Sequence, residues 1–181
     1  MRLYLIRHTP PTITAGICYG QSDVPTSDND ITALVQKLNG RWSEDIAVYS
    51  SPLSRCLKLA QRLHKNPIAD QRLMEFDFGE WEMQVWEQIP RQQIEAWASD
   101  VVHYAPGGRE NLLQMTTRVM AFISDLQKHA HEQAVVVCHG GVIKILSAWQ
   151  QGNTSVDLAQ RVGQINEHFE FASCTEVQIL M

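Results

Sequence analysis

The chain has 181 residues, 44% apolar and 19% charged, the proportions of a globular protein able to bury one sizeable core rather than of a disordered chain. Fifteen Lys and Arg against twenty Asp and Glu leave a net charge of −5 and a pI near 5.8. That balance excludes a surface built to neutralise nucleic-acid phosphates or anionic lipid, but it leaves room for a small basic pocket.

In chain order, Arg2 to Ile6 is the first predicted strand, and its apolar run is too short for a membrane span or a signal-peptide core. A cytoplasmic protein is therefore expected. Ile46 to Ser50 is the second strand, and after the breaker Pro52 the residues Leu53, Cys56, Leu57, Ala60 and Leu63 recur at helical spacing. The stretch from Gln84 to Gly108 is rich in Trp and Gln, contains Pro90 and ends in Pro106-Gly107-Gly108, which describes a helical excursion returning through a loop. Leu112, Thr116, Val119, Ile123 and Leu126 mark a second helix. Ala134 to Cys138 is the next strand, and its Ala134-Val135-Val136-Val137 is a continuous apolar run rich in β-branched Val, as in a central strand covered on both faces. Val142, Ile145, Leu146 and Trp149 give a third helix, and a last strand spans about Glu176 to Leu180. Strands alternating with helices predict an α/β three-layer sandwich: a mostly parallel sheet with helices on both faces, one antiparallel strand near the C-terminus and a small helical cap. No repeat or linker divides the sequence, so residues 1–181 are expected to form a single domain, with the cap at about 84–108. The four cysteines are scattered without a C-x-x-C pair, so neither a disulfide framework nor a zinc site is expected.

Two histidines occupy equivalent positions. His8 follows Arg7 at the end of the first strand, and His139-Gly140-Gly141 follows the Val-rich strand and opens a helix. Ligands in open parallel sheets bind beyond the carboxyl ends of strands, and a helix start there offers free N–H groups to an anion. Arg55, just past the second strand in Ser51-Pro52-Leu53-Ser54-Arg55, adds a second guanidinium beside Arg7, and such groups grip phosphate oxygens in pairs. Two arginines and two histidines at strand ends describe a phosphate cradle. Further on, Glu75, Asp77, Glu80 and Glu82 lie among Phe76, Phe78 and Trp81. A carboxyl held against apolar rings suits a general acid; Glu75 and Asp77 compete for that role, whereas Glu80 and Glu82 read as solvated acids.

Arg7-His8-Thr9, Ser51-Pro52-Leu53-Ser54-Arg55, Glu75 to Glu82 and Val137-Cys138-His139-Gly140-Gly141 stand in the order found in the histidine phosphatase, or phosphoglycerate-mutase-like, superfamily, which the chain resembles over nearly its whole length. Gly16 to Pro25, reading GICYGQSDVP, is most similar to the alpha-ribazole phosphatase branch of cobalamin assembly. The resemblance implies His8 as a nucleophile that becomes phosphohistidine, Arg7, Arg55 and His139 as holders of the phosphoryl group, and Glu75 as proton donor to the leaving alcohol. It also implies Gly20, Gln21 and Gly140 as substrate-binding positions, no metal or cofactor, and a small-molecule phosphomonoester as partner, either alpha-ribazole 5′-phosphate or adenosylcobalamin 5′-phosphate. The sequence departs from the superfamily at Thr9-Pro10 and Thr14, where many members have Gly-Glu and Asn. It also carries Arg109 between the paired glycines and Glu110, in a loop expected to border the site.

Rival readings are a broad small-molecule phosphatase, a mutase, a phosphohistidine-protein phosphatase and a non-catalytic phospho-ligand scaffold. Against a mutase, only a short cap is available to exclude water. Trp81, Trp86 and Trp97 favour a small-molecule pocket. A cysteine phosphatase built on Cys56 and Arg62 lacks a glycine in its would-be phosphate loop.

Overall fold

A computed structural model describes residues 1–129 and 131–179. Its strands are β1 (Arg2–Arg7), β2 (Ala47–Ser50), β3 (Ile68–Ala69), β4 (Gln133–Cys138) and β5 (Cys174–Gln178), and its α-helices are α1 (Asp28–Leu38), α2 (Ser54–Leu63), α3 (Arg91–Ser99), α4 (Leu112–Leu126), α5 (Gly140–Ala148) and α6 (Ser155–Gln164). The sheet order is β3-β2-β4-β1-β5, with β5 antiparallel to β1 and every other pairing parallel. This is the expected α/β fold with its antiparallel C-terminal strand. The last strand ends at Gln178, and Leu180, at the expected boundary, lies outside the described residues.

Alternation along the strands builds two cores, because successive side chains point to opposite faces. Leu3, Leu5, Ala134, Val136 and Cys138 pack on one face beneath α4, α5 and α6. Tyr4, Ile6, Val48, Val135 and Val137 pack on the other against Ile31, Leu34, Cys56 and Leu59 of α1 and α2. Both faces of β1 and β4 are thus covered, which is why Ala134 to Val137 carries no polar residue. Helix α4 begins where Asn111 and Gln114 exchange side-chain and backbone hydrogen bonds, a reciprocal cap that satisfies two otherwise orphaned N–H groups.

A third, smaller core lies in the excursion above the sheet. Cys18, Trp81 and Ile89 are buried there among Phe78, Trp86, Ile94, Trp97 and Tyr104. Its apolar filling therefore starts before residue 84 and recruits Cys18 from the β1–α1 connection. Among the described residues, no helix is long and apolar enough to cross a membrane.

Candidate active site

Register brings the two histidines together. Arg7 pairs with Cys138 and Ser50 with Val137, so His8, Ser51 and His139 leave three adjacent parallel strands at one level. The His8 N–H donates to the Cys138 carbonyl and the Ser51 N–H to the Val137 carbonyl, which continues the ladder one step into the loops. The His8 and His139 rings meet edge-on, with centroids 5.1 Å apart.

His8 is 2% exposed, and its Nδ1 lies 2.8 Å from the Thr9 carbonyl. A carbonyl only accepts, so Nδ1 carries the proton and Nε2 keeps its lone pair. Burial first and the Arg55 charge next push the His8 pKa down to about 3; the Thr9 bond opposes them, and Arg7 adds a smaller lowering. His139 is fully buried, and its Nε2 lies 2.8 Å from the Ser51 hydroxyl. Burial first, with Arg55 and His8 next, holds its pKa well below the ordinary histidine value. Both rings are therefore neutral at pH 7.

The arginines are anchored from behind. Arg7 lies over the Phe171 ring at 3.7 Å and donates through Nη1 to the Phe169 carbonyl. Arg55 is fully buried and donates through Nη1 to the Ser22 carbonyl at 2.8 Å and through Nη2 to the Gly20 carbonyl. The Nε–H of each arginine is buried without a hydrogen-bond partner among the described residues. Two desolvated cationic donors left open beside one neutral imidazole suit an oxyanion.

Glu75 faces this cluster. Its Oε1 accepts from the Phe76 N–H at 3.0 Å and its Oε2 from the Gly141 N–H at 3.3 Å. Gly141 makes room for it, since a Cβ there would sit 2.4 Å from Glu75 Oε1. The backbone around Glu75 is clamped by Arg118, which donates to the carbonyls of Arg72, Met74 and Glu75 while pairing with Glu110 at 2.7 Å. Asp77, the other contender, caps the Gly79 N–H at 2.9 Å and faces Arg109 at 3.5 Å. Glu80 is exposed as expected, but Glu82 is not a solvated acid: it accepts from the N–H groups of Gly20, Gln21, Ser22 and Phe78. Four converging backbone donors were invisible in the sequence because they lie about sixty residues away or in an irregular turn.

A cavity of about 380 Å³ opens over these groups, and Arg7, His8, Arg55, Glu75 and Gly140 line it. His139 is packed behind His8, off the cavity wall. Gly20 and Gln21 also lie off it, their backbones committed to Arg55 and Glu82. Of Trp81, Trp86 and Trp97, Trp97 reaches the cavity, while Trp81 is buried in the third core and Trp86 stacks on Trp97 with planes 9° apart. The Arg109 loop does not border this cavity; with Asp77 and Arg118 it lines a separate hollow. Thr14 is exposed and also off the wall. Tyr19 and Lys144 line the cavity without having been singled out by sequence reasoning. Lys144 stands four residues beyond Gly140, a spacing that places both on one helix face and could have signalled it. Cys56 is buried in α2, and burial pushes its thiol pKa far up, so no thiolate nucleophile is available there.

The sequence model of the Histidine phosphatase superfamily (branch 1) matches residues 3–175. The chain belongs to that superfamily. Among its relatives is a Hydrogenobacter thermophilus protein named "Putative phosphoserine phosphatase 2", 28% identical over alignments covering 98% of this chain and 89% of the relative. The adenosylcobalamin/alpha-ribazole phosphatase of Salmonella typhimurium is also 28% identical, over 82% of this chain and 78% of its own length. Among solved structures, the alpha-ribazole phosphatase of Shigella flexneri superposes with a TM-score of 0.79 at 25% identity, covering 99% of this chain and 91% of that one. These relatives share phosphatase chemistry and differ in the substrate their names give.

Proposed function

We propose that this histidine phosphatase is a metal-independent phosphomonoesterase that works through a phosphohistidine on His8, with alpha-ribazole 5′-phosphate as its substrate. The observation that carries the chemistry is the Thr9 carbonyl fixing the proton on His8 Nδ1, which leaves Nε2 as a neutral nucleophile beside two open guanidinium N–H groups. In the first displacement Nε2 bonds to phosphorus as the ester P–O bond breaks in line. The leaving oxygen takes a proton from the acid form of Glu75, and Arg7 and Arg55 offset charge on the equatorial oxygens. In the second, water attacks phosphorus, gives a proton to Glu75, and the P–N bond breaks to release phosphate and restore His8. His139 touches His8 from behind and supports its ring in this scheme.

Three things support the substrate. The segment from Gly16 to Pro25 resembles the alpha-ribazole phosphatase branch, a curated relative and a superposed structure carry that name, and Phe78 and Trp97 give the cavity flat apolar walls suited to a benzimidazole nucleoside. Adenosylcobalamin 5′-phosphate, which presents the same group, is the larger form of this substrate. The test is kcat/KM for phosphate release with chelator present, across alpha-ribazole 5′-phosphate, phosphoserine, nucleoside monophosphates, 3-phosphoglycerate and a phosphohistidine protein. A preference for alpha-ribazole 5′-phosphate of about a hundredfold, near 2.7 kcal/mol, is expected, with phosphate release lost in His8→Ala. Preference for phosphoserine would replace the substrate, and release persisting in His8→Ala would overturn the mechanism.

A further inference from the structure

The outer part of the cavity holds a cation that phosphoryl transfer does not use. Lys144 lines the same cavity as Arg7 and His8. It is half-buried, its Nζ donates to the Ile165 carbonyl at 3.2 Å, and no carboxylate lies within ion-pair distance of it among the described residues. An ammonium carries three donors, so two remain for a ligand. Its place on α5 fixes what it can reach. A Cβ on Gly140 would lie 3.5 Å from the Arg7 guanidinium carbon, so the first residue of α5 faces the phosphate cradle. Lys144 is about one turn further on the same face, four residues or about 6 Å along the axis. It therefore stands beyond the phosphate position, where the leaving group must lie. Phe78, Trp97, Val101 and Leu112 line the cavity as an apolar wall, and the ionisable Glu167 and His168 line it as well, near the Ile165 carbonyl to which Lys144 donates, without an ion pair to Lys144.

We propose that Lys144 is a specificity residue: its ammonium donates to an acceptor on the leaving alcohol, one helical turn from the phosphate, while the aromatic wall takes the apolar body. The substrate class this selects is a phosphomonoester whose leaving group combines an apolar surface with an oxygen or nitrogen acceptor close to the ester. The inference rests on the phosphomonoesterase reading and sharpens it, since the ribose oxygens of alpha-ribazole 5′-phosphate are acceptors of this kind.

The experiment compares kcat/KM for alpha-ribazole 5′-phosphate with that for phenyl phosphate, whose leaving group carries no further acceptor, in the wild type, Lys144→Met and Lys144→Arg. Both esters present the same phosphate, so a general loss of positive field lowers both alike and cancels in the ratio. The ratio is expected to fall at least tenfold in Lys144→Met, mainly through KM, and to recover partly in Lys144→Arg. An unchanged ratio overturns the inference, whatever happens to the absolute rates. Should the wild type ignore alpha-ribazole 5′-phosphate, the substrate reading fails by itself, and the same ratio taken with the preferred member among phosphoserine and adenosine monophosphate decides the role of Lys144. A wild type that prefers none of them over phenyl phosphate overturns it as well.

Discussion

Glu82 and Arg55 never touch, yet the carboxylate of one holds the guanidinium of the other in place through three residues of backbone. Glu82 accepts from the N–H groups of Gly20, Gln21 and Ser22 at 2.8–3.0 Å, and the carbonyls of Gly20 and Ser22 accept from Arg55 on the other side of the same turn. Burial alone would raise the Glu82 pKa, but hydrogen bonds from Ser22, Gly20 and Gln21 hold it below the usual carboxylate value. In Glu82→Gln the amide nitrogen must face an N–H, and each lost bond to a charged acceptor is worth about 1.5–3 kcal/mol. The variant should lose about 2–4 kcal/mol of stability in urea unfolding, and kcat/KM should fall by about ten- to a hundredfold because Arg55 is no longer fixed. A destabilised enzyme with wild-type kcat/KM would show that the turn does not set the Arg55 position.

Gly141 reports on Glu75 in a different way. An alanine Cβ there would sit 2.4 Å from Glu75 Oε1 and 3.0 Å from Met115 Cε, so the flexible carboxylate must swing aside. Gly141 lies in the first turn of α5 and is not among the glycines with positive φ, so alanine strains no backbone and gains helix propensity. Gly141→Ala should keep wild-type stability within about 1 kcal/mol while lowering kcat for alkyl phosphates by about a hundredfold, within the usual range for general acid catalysis. For p-nitrophenyl phosphate, whose leaving group needs little protonation, the loss should be much smaller. Equal losses on both esters would separate Glu75 from proton transfer.

Strands β1, β2 and β4 were legible because their interiors are apolar runs covered on both faces, and α4 was legible because its apolar stripe runs the length of the helix. Strand β3 has two exposed residues and carries no such signal. Helix α6, whose buried face is Leu158, Ala159 and Val162, announces itself mainly through its Thr154–Asp157 cap. The site divides along the same line. Arg7, His8, Ser51 and His139 stand at strand ends, where register fixes their positions and pattern finds them. Tyr19, Glu82 and Arg109 stand on irregular loops, whose paths depend on backbone hydrogen bonds with distant partners. The placement of Arg109 beside Asp77 instead of on the cavity is a case in point: Gly107, at φ 66°, turns the chain against the Phe78 carbonyl, with 1.8 Å left for a Cβ.

The burial of His8 makes stability depend on pH in a defined direction. The folded protein refuses a proton on His8 down to about pH 3, whereas the unfolded chain takes one near the ordinary value of 6.5. Between those values the unfolded state binds more protons, so stability falls as pH drops from 6.5 toward 3 and is independent of this group above 6.5. One proton corresponds to at most about 1.4 kcal/mol per pH unit, and His139, whose pKa is lowered in the same direction, adds to the slope. Urea unfolding at pH 7, 6 and 5 should therefore show a progressive loss for the wild type and a shallower one for His8→Gln, by up to one proton per molecule. Saturating inorganic phosphate should stabilise the wild type, because an oxyanion answers the open Nε–H groups of Arg7 and Arg55. Parallel pH slopes for the wild type and His8→Gln would mean that His8 already carries a proton in the folded enzyme, and a protonated imidazole has no lone pair with which to attack phosphorus.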